Sequence, residues 1–331
     1  MTLTSPGPTL GVVGGGQLGR MLGEAAAPLG VEVVVVDPTP DCPAAPVVRG
    51  QIEGDFDDAD ALDALAARSD WLTYEIELAD PDLLEEAGAD HGVPVHPRPD
   101  TLRTIQDKLV QNRAMRDAGV PVPDFEPVDE LDALHGALDE LGTPAMLKAR
   151  EGGYDGRGNV LIEERGDAEE ALSAVAGPAL VEEFVDFERE LAVMGCKGAE
   201  DADGLDAAPD DDGAVDAFPV TETIHEDEIL RATASPPRAP QDRVAAARDV
   251  ALDVLDALDG RGVYGVELFD TGDAILFNEV APRPHNSGHW TIEGCHIGQF
   301  AQHVRAVTGR ALGDTGRRAP TASANLLGGD G

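Results

Sequence analysis

The run TLGVVGGGQLGRML near the amino end constrains the fold more than any other stretch of this chain. It reads as a strand, a glycine turn and a helix. VEVVVVD follows at 31–37, a second buried strand that ends in an acid. A helix between two strands carries the chain back to the starting edge, so the strands run parallel. WLTYEIE, at 71–77, looks like a further strand end bearing two carboxylates. Strands alternating with helices predict a parallel α/β sheet.

Further along, residues 101–118 have helical periodicity and stop at Gly119 before VPVP, so one helix is expected there. Residues 129–141 predict another, closed by Gly142 and Pro144. From Ala145 the pattern turns to strands, AMLKAR, NVLIEE, PALVEEFV and RELAVMGC, with a helix interposed at 167–175. This describes a small α+β lobe. Residues 200–215, EDADGLDAAPDDDGAV, lack periodicity and read as a solvated loop. Residues 241–258 predict an amphipathic helix, GVYGVELFD and AILFNEVAP a strand pair about Thr271 and Gly272, and 293–307 a last helix.

With 331 residues, 42% of them hydrophobic, the chain is globular and long enough for two or three domains. It has no run of 18 apolar residues and no signal-peptide pattern, which predicts a cytoplasmic protein without a membrane partner. The three cysteines are too scattered for a zinc site or a disulfide framework and fit a reducing compartment. The formal net charge of −40 argues against nucleic acid as partner, since phosphate backbones are bound by cations. Acids spread as in DFDDADALDALAARSD suit a halophilic cytoplasm, where salt screens self-repulsion. Only three of the 24 basic residues are lysine, so Lys108, Lys148 and Lys197 each deserve a reason.

Five segments suggest chemistry. GGGQLG satisfies the G-x-G-x-x-G pattern, and Asp37 stands where an NAD ribose acid belongs, so a dinucleotide-binding dehydrogenase is one reading. KAREGGYDGRGN, at 148–159, sets a lysine beside four glycines, whose backbone N–H groups suit a phosphate. A hairpin turn explains two of those glycines, but not all four with Tyr154, Asp155 and Arg157 between them. VEEFVDFERE offers a strand, from Glu182 to Val185, that leads into a connection and suits an adenine edge and a ribose; an acidic edge strand is the plain alternative. Glu267 and Glu279, with Asn278, sit in apolar strands where an unpaired charge is costly, and their oxygens suit Mg²⁺. APRPHNSGHW gathers Arg283, His285, Asn286, Ser287 and His289 directly after them; an arginine fork binds carboxylate or phosphate, and the histidines are either proton carriers or structural.

Together, GGGQLGRML, LKAREGGYDGRGN, VEEFVDFEREL, YGVELF and LFNEVAPRPHNSGHWT resemble the ATP-grasp superfamily and, within it, the N5-carboxyaminoimidazole ribonucleotide synthase family. The likeness runs from about Leu10 to Asp330. It implies an α/β fold of three parts: a Rossmann-like pre-ATP-grasp domain at 1–107, an α+β lid lobe at 108–184 and an α+β carboxy-terminal domain at 185–331. It also implies a ligase in purine biosynthesis. ATP phosphorylates bicarbonate, and the carboxyphosphate, or CO₂ from it, carboxylates 5-aminoimidazole ribonucleotide.

By matching position, the resemblance gives ATP to Lys108, Lys148, Gly153, Tyr154, Asp155, Gly156, Arg157, Gly158 and Asn159, the residues from Gly153 onward being a closing loop. Glu182, Glu183, Phe184 and Val185 line the adenine, Glu190 takes the ribose, and His225, Asn278 and Glu279 are further nucleotide contacts. Glu267 and Glu279 hold Mg²⁺. Gln17, Leu18, Glu75, His285 and Ser287 belong to the ribonucleotide and bicarbonate site, as do Tyr154, Asp155, Arg157, Arg283 and Asn286, which are also the catalytic candidates. A homodimer is expected from the family.

The family's last segment carries a basic motif associated with the ribonucleotide phosphate, and the stretch to Gly331 has no counterpart to it. The expectation is firm ATP binding with a less firmly held ribonucleotide. Arg317 and Arg318 are not expected to substitute. Three competing readings remain: a formate-using glycinamide ribonucleotide transformylase, the dehydrogenase, and a catalytically silent nucleotide-binding subunit. The charge makes its own prediction. Followed by calorimetry, the melting temperature falls as molar salt is dialysed away; indifference to salt contradicts the halophilic reading.

Overall fold

In the computed structural model, which describes residues 7–152, 158–175, 177–199, 213–226 and 229–326, the amino-terminal run folds as its pattern predicts. Strand β1 (Thr9–Val13) is buried throughout, and helix α1 (Gln17–Ala26) starts after the glycine turn. Strands β2 (Glu32–Val36), β3 (Gly50–Ile52) and β4 (Trp71–Tyr74) join β1 in a parallel sheet of order β3-β2-β1-β4. Burial on both faces explains why these strands are apolar runs rather than alternating ones. Helices α2 (Ala59–Ala66) and α3 (Pro81–His91) each begin on an aspartate, Asp58 and Asp80, whose side chain accepts two backbone N–H groups of the first turn.

The single helix expected over 101–118 is two: α4 (Pro99–Gln106) and α5 (Lys108–Asp117). Between them Asp107 is extended (φ −109°, ψ 109°), and its carboxylate accepts the N–H groups of Leu109 and Val110 at 2.9 and 3.3 Å. Aspartate serves better as a cap than inside a helix, and apolar periodicity does not register that preference. The break makes Lys108 the first residue of α5. Ile105, Met115 and Val120, around these helices, enter the core of the largest sheet.

A second, antiparallel sheet has the order β5-β8-β6-β7, from β5 (Phe125–Val128), β6 (Ala145–Ala149), β7 (Asn159–Ile162) and β8 (Ala179–Glu183). Helices α6 (Leu131–Leu141) and α7 (Ala168–Ala174) cover one face through Leu134, Leu138 and Ala171.

The third sheet, also antiparallel, has the order β14-β13-β9-β11-β12-β15. Its members are β9 (Arg189–Gly198), β10 (Ala214–Ala217), β11 (Thr221–Glu226), β12 (Ile229–Ser235), β13 (Gly262–Asp270), β14 (Ile275–Ala281) and β15 (Thr321–Ala324), with β10 paired to β9 beside β11. Ala214 and Val215, expected in a loop, are therefore strand residues held by that pairing; residues 200–212 of the expected loop lie outside the described residues. The helix expected over 293–307 is also interrupted, into α9 (Thr291–Gly294) and α10 (Gln299–Val307). At the break the N–H groups of His296 and Ile297 donate to the carbonyls of Gly316 and Asp314, outside any helix.

Helix α8 (Gln241–Asp256) covers the third sheet with Val254 and Leu255 fully buried. Burial holds the His303 imidazole down to about 3, so the ring is neutral. It accepts the Val263 N–H on Nδ1 at 3.0 Å, which leaves Nε2 to donate to Thr73 Oγ1 at 2.9 Å and so tie α10 to the first sheet. Cys42, Cys196 and Cys295 are buried free thiols. Among the described residues no helix is long and apolar enough to cross a membrane.

The close seat of α8 depends on Gly195: a Cβ there would stand 2.3 Å from Leu255 Cδ1. Gly195→Ala should cost about 1–3 kcal/mol of overpacking, read as a lower urea midpoint with an unchanged m-value.

Candidate active site

The glycine turn before α1 is closed around the protein's own acids. Gly16 N–H donates to Glu75 Oε1 at 2.6 Å, and Gly15 N–H to Asp37 Oδ2 at 2.9 Å. Gly14 has φ +103°, and a Cβ there would stand 2.5 Å from Glu75 Cγ. The positive end of α1 thus holds the Glu75 carboxylate where a dinucleotide would place its pyrophosphate. Asp37, the expected ribose ligand, accepts Gly15 and Thr39 N–H groups instead. The dehydrogenase reading fails here for that physical reason. Burial nevertheless pushes the Glu75 carboxyl up to about 7.

The two lysines lie in a ring of polar contacts that spans α5, β14, β6 and β8. Lys108 Nζ is 2.7 Å from Glu279 Oε2. Lys148 Nζ is 2.7 Å from Glu182 Oε2 and donates to Asn278 Oδ1 at 3.3 Å. Asn112, one turn beyond Lys108 on α5, closes the ring by donating to Glu182 Oε1 at 2.8 Å. Burial pulls the Lys108 ammonium down, but Glu279 outweighs it and the group sits above its ordinary value, fully charged.

Glu267 and Glu279 are register partners on β13 and β14, so their side chains share a face. The register slips after them, pairing Leu268 with Phe277, and leaves Asn278 as the extra residue of a bulge. The bulge re-aims Asn278, so that two consecutive residues serve one site. Glu190 on β9 pairs with Phe269, two residues past Glu267, and so lies on that same face. Lys108 holds Glu279 well below the usual carboxylate range, whereas burial and the Glu279 charge push Glu267 up. A part-exposed acid pair with one ammonium, on Glu279, lacks positive charge. Among the described residues no three His, Cys, Asp or Glu side chains form a metal cluster. Two carboxylates and an amide fit Mg²⁺ all the same, because that ion fills its remaining positions with phosphate oxygens and water.

The loop after β14 turns toward the first sheet. Arg283 Nη2 donates to Glu77 Oε2 at 3.0 Å, and its Nε is 2.9 Å from Glu77 Oε1. Glu77 is fixed by Gln106, whose Nε2 donates to the Glu77 carbonyl at 2.7 Å. His285 Nδ1 is 2.8 Å from Ser287 Oγ and 3.5 Å from Glu267 Oε1. Burial, then Arg283, holds the His285 ring down to about 3, so it is neutral. Gln299, fully buried at the start of α10, accepts the His285 N–H and donates to the His285 carbonyl, which fixes the loop.

The chain matches the ATP-grasp domain model over residues 113–300 and the ribonucleotide synthetase preATP-grasp domain model over 8–106. It is 41% identical to N5-carboxyaminoimidazole ribonucleotide synthase of Brucella melitensis, across 99% of this chain and 88% of that protein. It belongs to the N5-carboxyaminoimidazole ribonucleotide synthase family. The family's N5-carboxyaminoimidazole synthase from Aspergillus clavatus, in complex with ADP and 5-aminoimidazole ribonucleotide, superposes with a TM-score of 0.89 at 34% identity, over 98% of this chain and 84% of that one. Phosphoribosylaminoimidazole carboxylase of Schizosaccharomyces pombe is 37% identical over 96% of this chain, which spans 56% of that longer protein.

Within this synthase fold the structure gathers most of the residues singled out in the sequence. Glu190 Oε2 is 2.6 Å from His225 Nδ1, and burial of that imidazole is outweighed by Glu190, so the ring titrates above its ordinary value. Glu183 ends β8, while Phe184 and Val185 lie just beyond it, Phe184 exposed. Gly158 precedes β7 and Asn159 opens it, Gln17 is exposed on the first turn of α1, and Leu18 packs below it. Asn286 is exposed and starts a short 3₁₀ turn with Ser287. Gly153, Tyr154, Asp155, Gly156 and Arg157 lie outside the described residues.

Asn112, Glu77, Gln106 and Gln299 were not expected. Asn112 carries a signal, four residues past Lys108 on a helix, and Glu77 stands beside Glu75; Gln106 and Gln299 carry none.

Glu75 generates a pH prediction. Its folded carboxyl titrates at about 7 against 4.5 ordinarily, so the folded state binds the extra proton. Stability on this account is highest below the ordinary value and falls as pH rises through about 7. Glu75→Gln should therefore gain stability over the parent between pH 5 and 8, by up to roughly 3 kcal/mol. Parallel stability–pH curves for the two proteins contradict it.

Proposed function

We propose that this chain uses ATP to carboxylate the amine of 5-aminoimidazole ribonucleotide, forming N5-carboxyaminoimidazole ribonucleotide and releasing ADP and phosphate. The observation that carries the reading is the junction of two half-sites. The lysine and acid ring ends at Glu279, and four residues later Arg283 reaches Glu77 beside the Glu75 that α1 holds. A polyphosphate end and a small-substrate end therefore meet along one loop. The formate-using alternative has no observation in its favour.

In this reading Lys108 and Lys148 leave their carboxylates for the ATP phosphates, and Glu190 and His225 take the sugar edge. Glu267, Glu279 and Asn278 would hold Mg²⁺, which when bound neutralises charge between the phosphates. Bicarbonate takes the γ-phosphoryl group to give carboxyphosphate, an intermediate short-lived in water, so a site closed to solvent protects it; the family resemblance gives that closing role to residues 153–159. Arg283 offers its fork to the bicarbonate or ribonucleotide anion, and neutral His285, with Asn286 and Ser287, lines the same end. Glu75, pushed up to about 7, exchanges a proton near neutral pH, and its unprotonated form is placed to accept the proton that the amine loses. Tyr154, Asp155 and Arg157 join Gln17 and Leu18 around the ribonucleotide. We divide the chain at 1–107, 108–184 and 185–331, with one sheet in each part and α5 also packed on the third sheet; the cytoplasmic location is read from the sequence and the homodimer from the family resemblance.

ADP release should require both bicarbonate and 5-aminoimidazole ribonucleotide, and formate with glycinamide ribonucleotide should not replace them. Lys148→Ala should lower turnover by on the order of 10²-fold or more without a comparable loss of folding, since it deletes a charge aimed at the reacting phosphates. Turnover that ignores the ribonucleotide, or survives Lys148→Ala, removes the assignment.

A further inference from the structure

Asp107 and Arg150 have no role in the chemistry above, yet they flank it. Asp107 precedes Lys108, and Arg150 stands two residues past Lys148. The Arg150 guanidinium grips the Asp107 carboxylate, Nε donating to Oδ1 and Oδ2 at 3.0 and 3.1 Å and Nη2 donating to Oδ2. The same carboxylate caps α5 through Leu109 and Val110. A main-chain bond runs alongside, Lys108 N–H to the Arg150 carbonyl at 2.9 Å. Arg150 N–H in turn donates to the Pro178 carbonyl, which joins it to the start of β8.

The two ends of this contact stand on different elements, α5 and the edge of the second sheet. Helix α5 is anchored to the third sheet, where Gln111 Oε1 accepts the Val280 N–H at 3.2 Å and Met115 is buried in the core, and it touches the second through Asn112 and Leu109. Lys148 and Arg150 belong to the second sheet and its edge. The fork therefore crosses from one to the other at the residues next to both lysines. Lysine side chains are long and hold many rotamers, so their ammonium groups are placed well only if their backbones are. A displacement of about 1 Å in a positioned group can cost two orders of magnitude in rate.

We propose that the Asp107–Arg150 pair is a positioning device that sets the separation of Lys108 and Lys148, so that both ammonium groups meet one triphosphate. The proposal rests on the reading of those lysines as ATP ligands. One carboxylate answers both needs, a cap for α5 and a bidentate partner for the guanidinium. Lysine at 150 keeps the charge but has no fork.

Asp107→Asn retains a good cap and removes the charge; Arg150→Lys leaves the cap untouched and removes the fork. ATP binding by calorimetry and steady-state KM and kcat are measured for both variants, for Arg150→Gln, for Asp107→Asn/Arg150→Gln, and for Lys148→Ala. The expected result is a loss of ATP affinity of roughly tenfold or more in each single variant, a double variant no worse than either of its singles, and melting temperatures within a few degrees of the parent. ATP binding and kcat/KM unchanged in a folded Asp107→Asn or Arg150→Lys protein overturn the proposal, as do losses that simply add in the double variant. Should Asp107→Asn fail to fold, the outcome rests on Arg150→Lys. If Lys148→Ala still binds and turns over ATP as the parent does, the ligand reading itself fails and takes the proposal with it. If Lys148→Ala loses ATP and the pair variants do not, only the positioning role fails.

Discussion

On the proposed reading, two ammonium groups are held ready for a polyphosphate inside a chain that carries a net charge of −40, and the polar contacts of the site centre on them. Glu279 keeps Lys108 charged, and Lys148 is paired with Glu182, which Asn112 of α5 holds in turn. The overall field repels anions, so a nucleotide is bound only where local cations outweigh it. Two of the three lysines stand here, while arginines such as Arg103, Arg189 and Arg238 are tied to acids elsewhere. The contacts reach across the second and third sheets, so the site also joins the two.

The glycine turn before α1 shows how little a motif says without its partners. A strand, three glycines and a helix N-terminus make an anion site on purely geometric grounds. Here the group held is the Glu75 carboxyl, supplied from 59 residues further along the chain, in place of a phosphate. Fold and motif are shared with dinucleotide enzymes; the occupant decides the function.

Regular elements were legible where the hydrophobic pattern alone determines them. β1, β2 and the hairpin of β13 and β14 follow from apolar runs and a Thr-Gly turn, and the acid pair Glu267 and Glu279 follows from that hairpin's register. What escaped depends on single polar residues making nonlocal contacts. Asp107 breaks a helix because its carboxylate has a better use as a cap; the bulge at Asn278 is one residue of slippage inside a strand whose pattern gives no sign of a break; α9 and α10 separate because the chain between them bonds to 314–316. Gln299 orders the loop of Arg283 and His285 from another helix, a partnership that spacing along the chain cannot express. The resemblance supplied roles; the structure supplied the groups that hold those residues in place.

The central claim is that this site transfers the γ-phosphoryl group of ATP to bicarbonate. The most direct test is turnover with ¹⁸O-labelled bicarbonate, ATP and 5-aminoimidazole ribonucleotide, followed by mass analysis of the phosphate released. Phosphate carrying one oxygen from bicarbonate is the expected result, because the bond from carbon to the bridging oxygen breaks when the carboxyl group moves to the amine. Unlabelled phosphate, formed at the same rate as ADP, would contradict it.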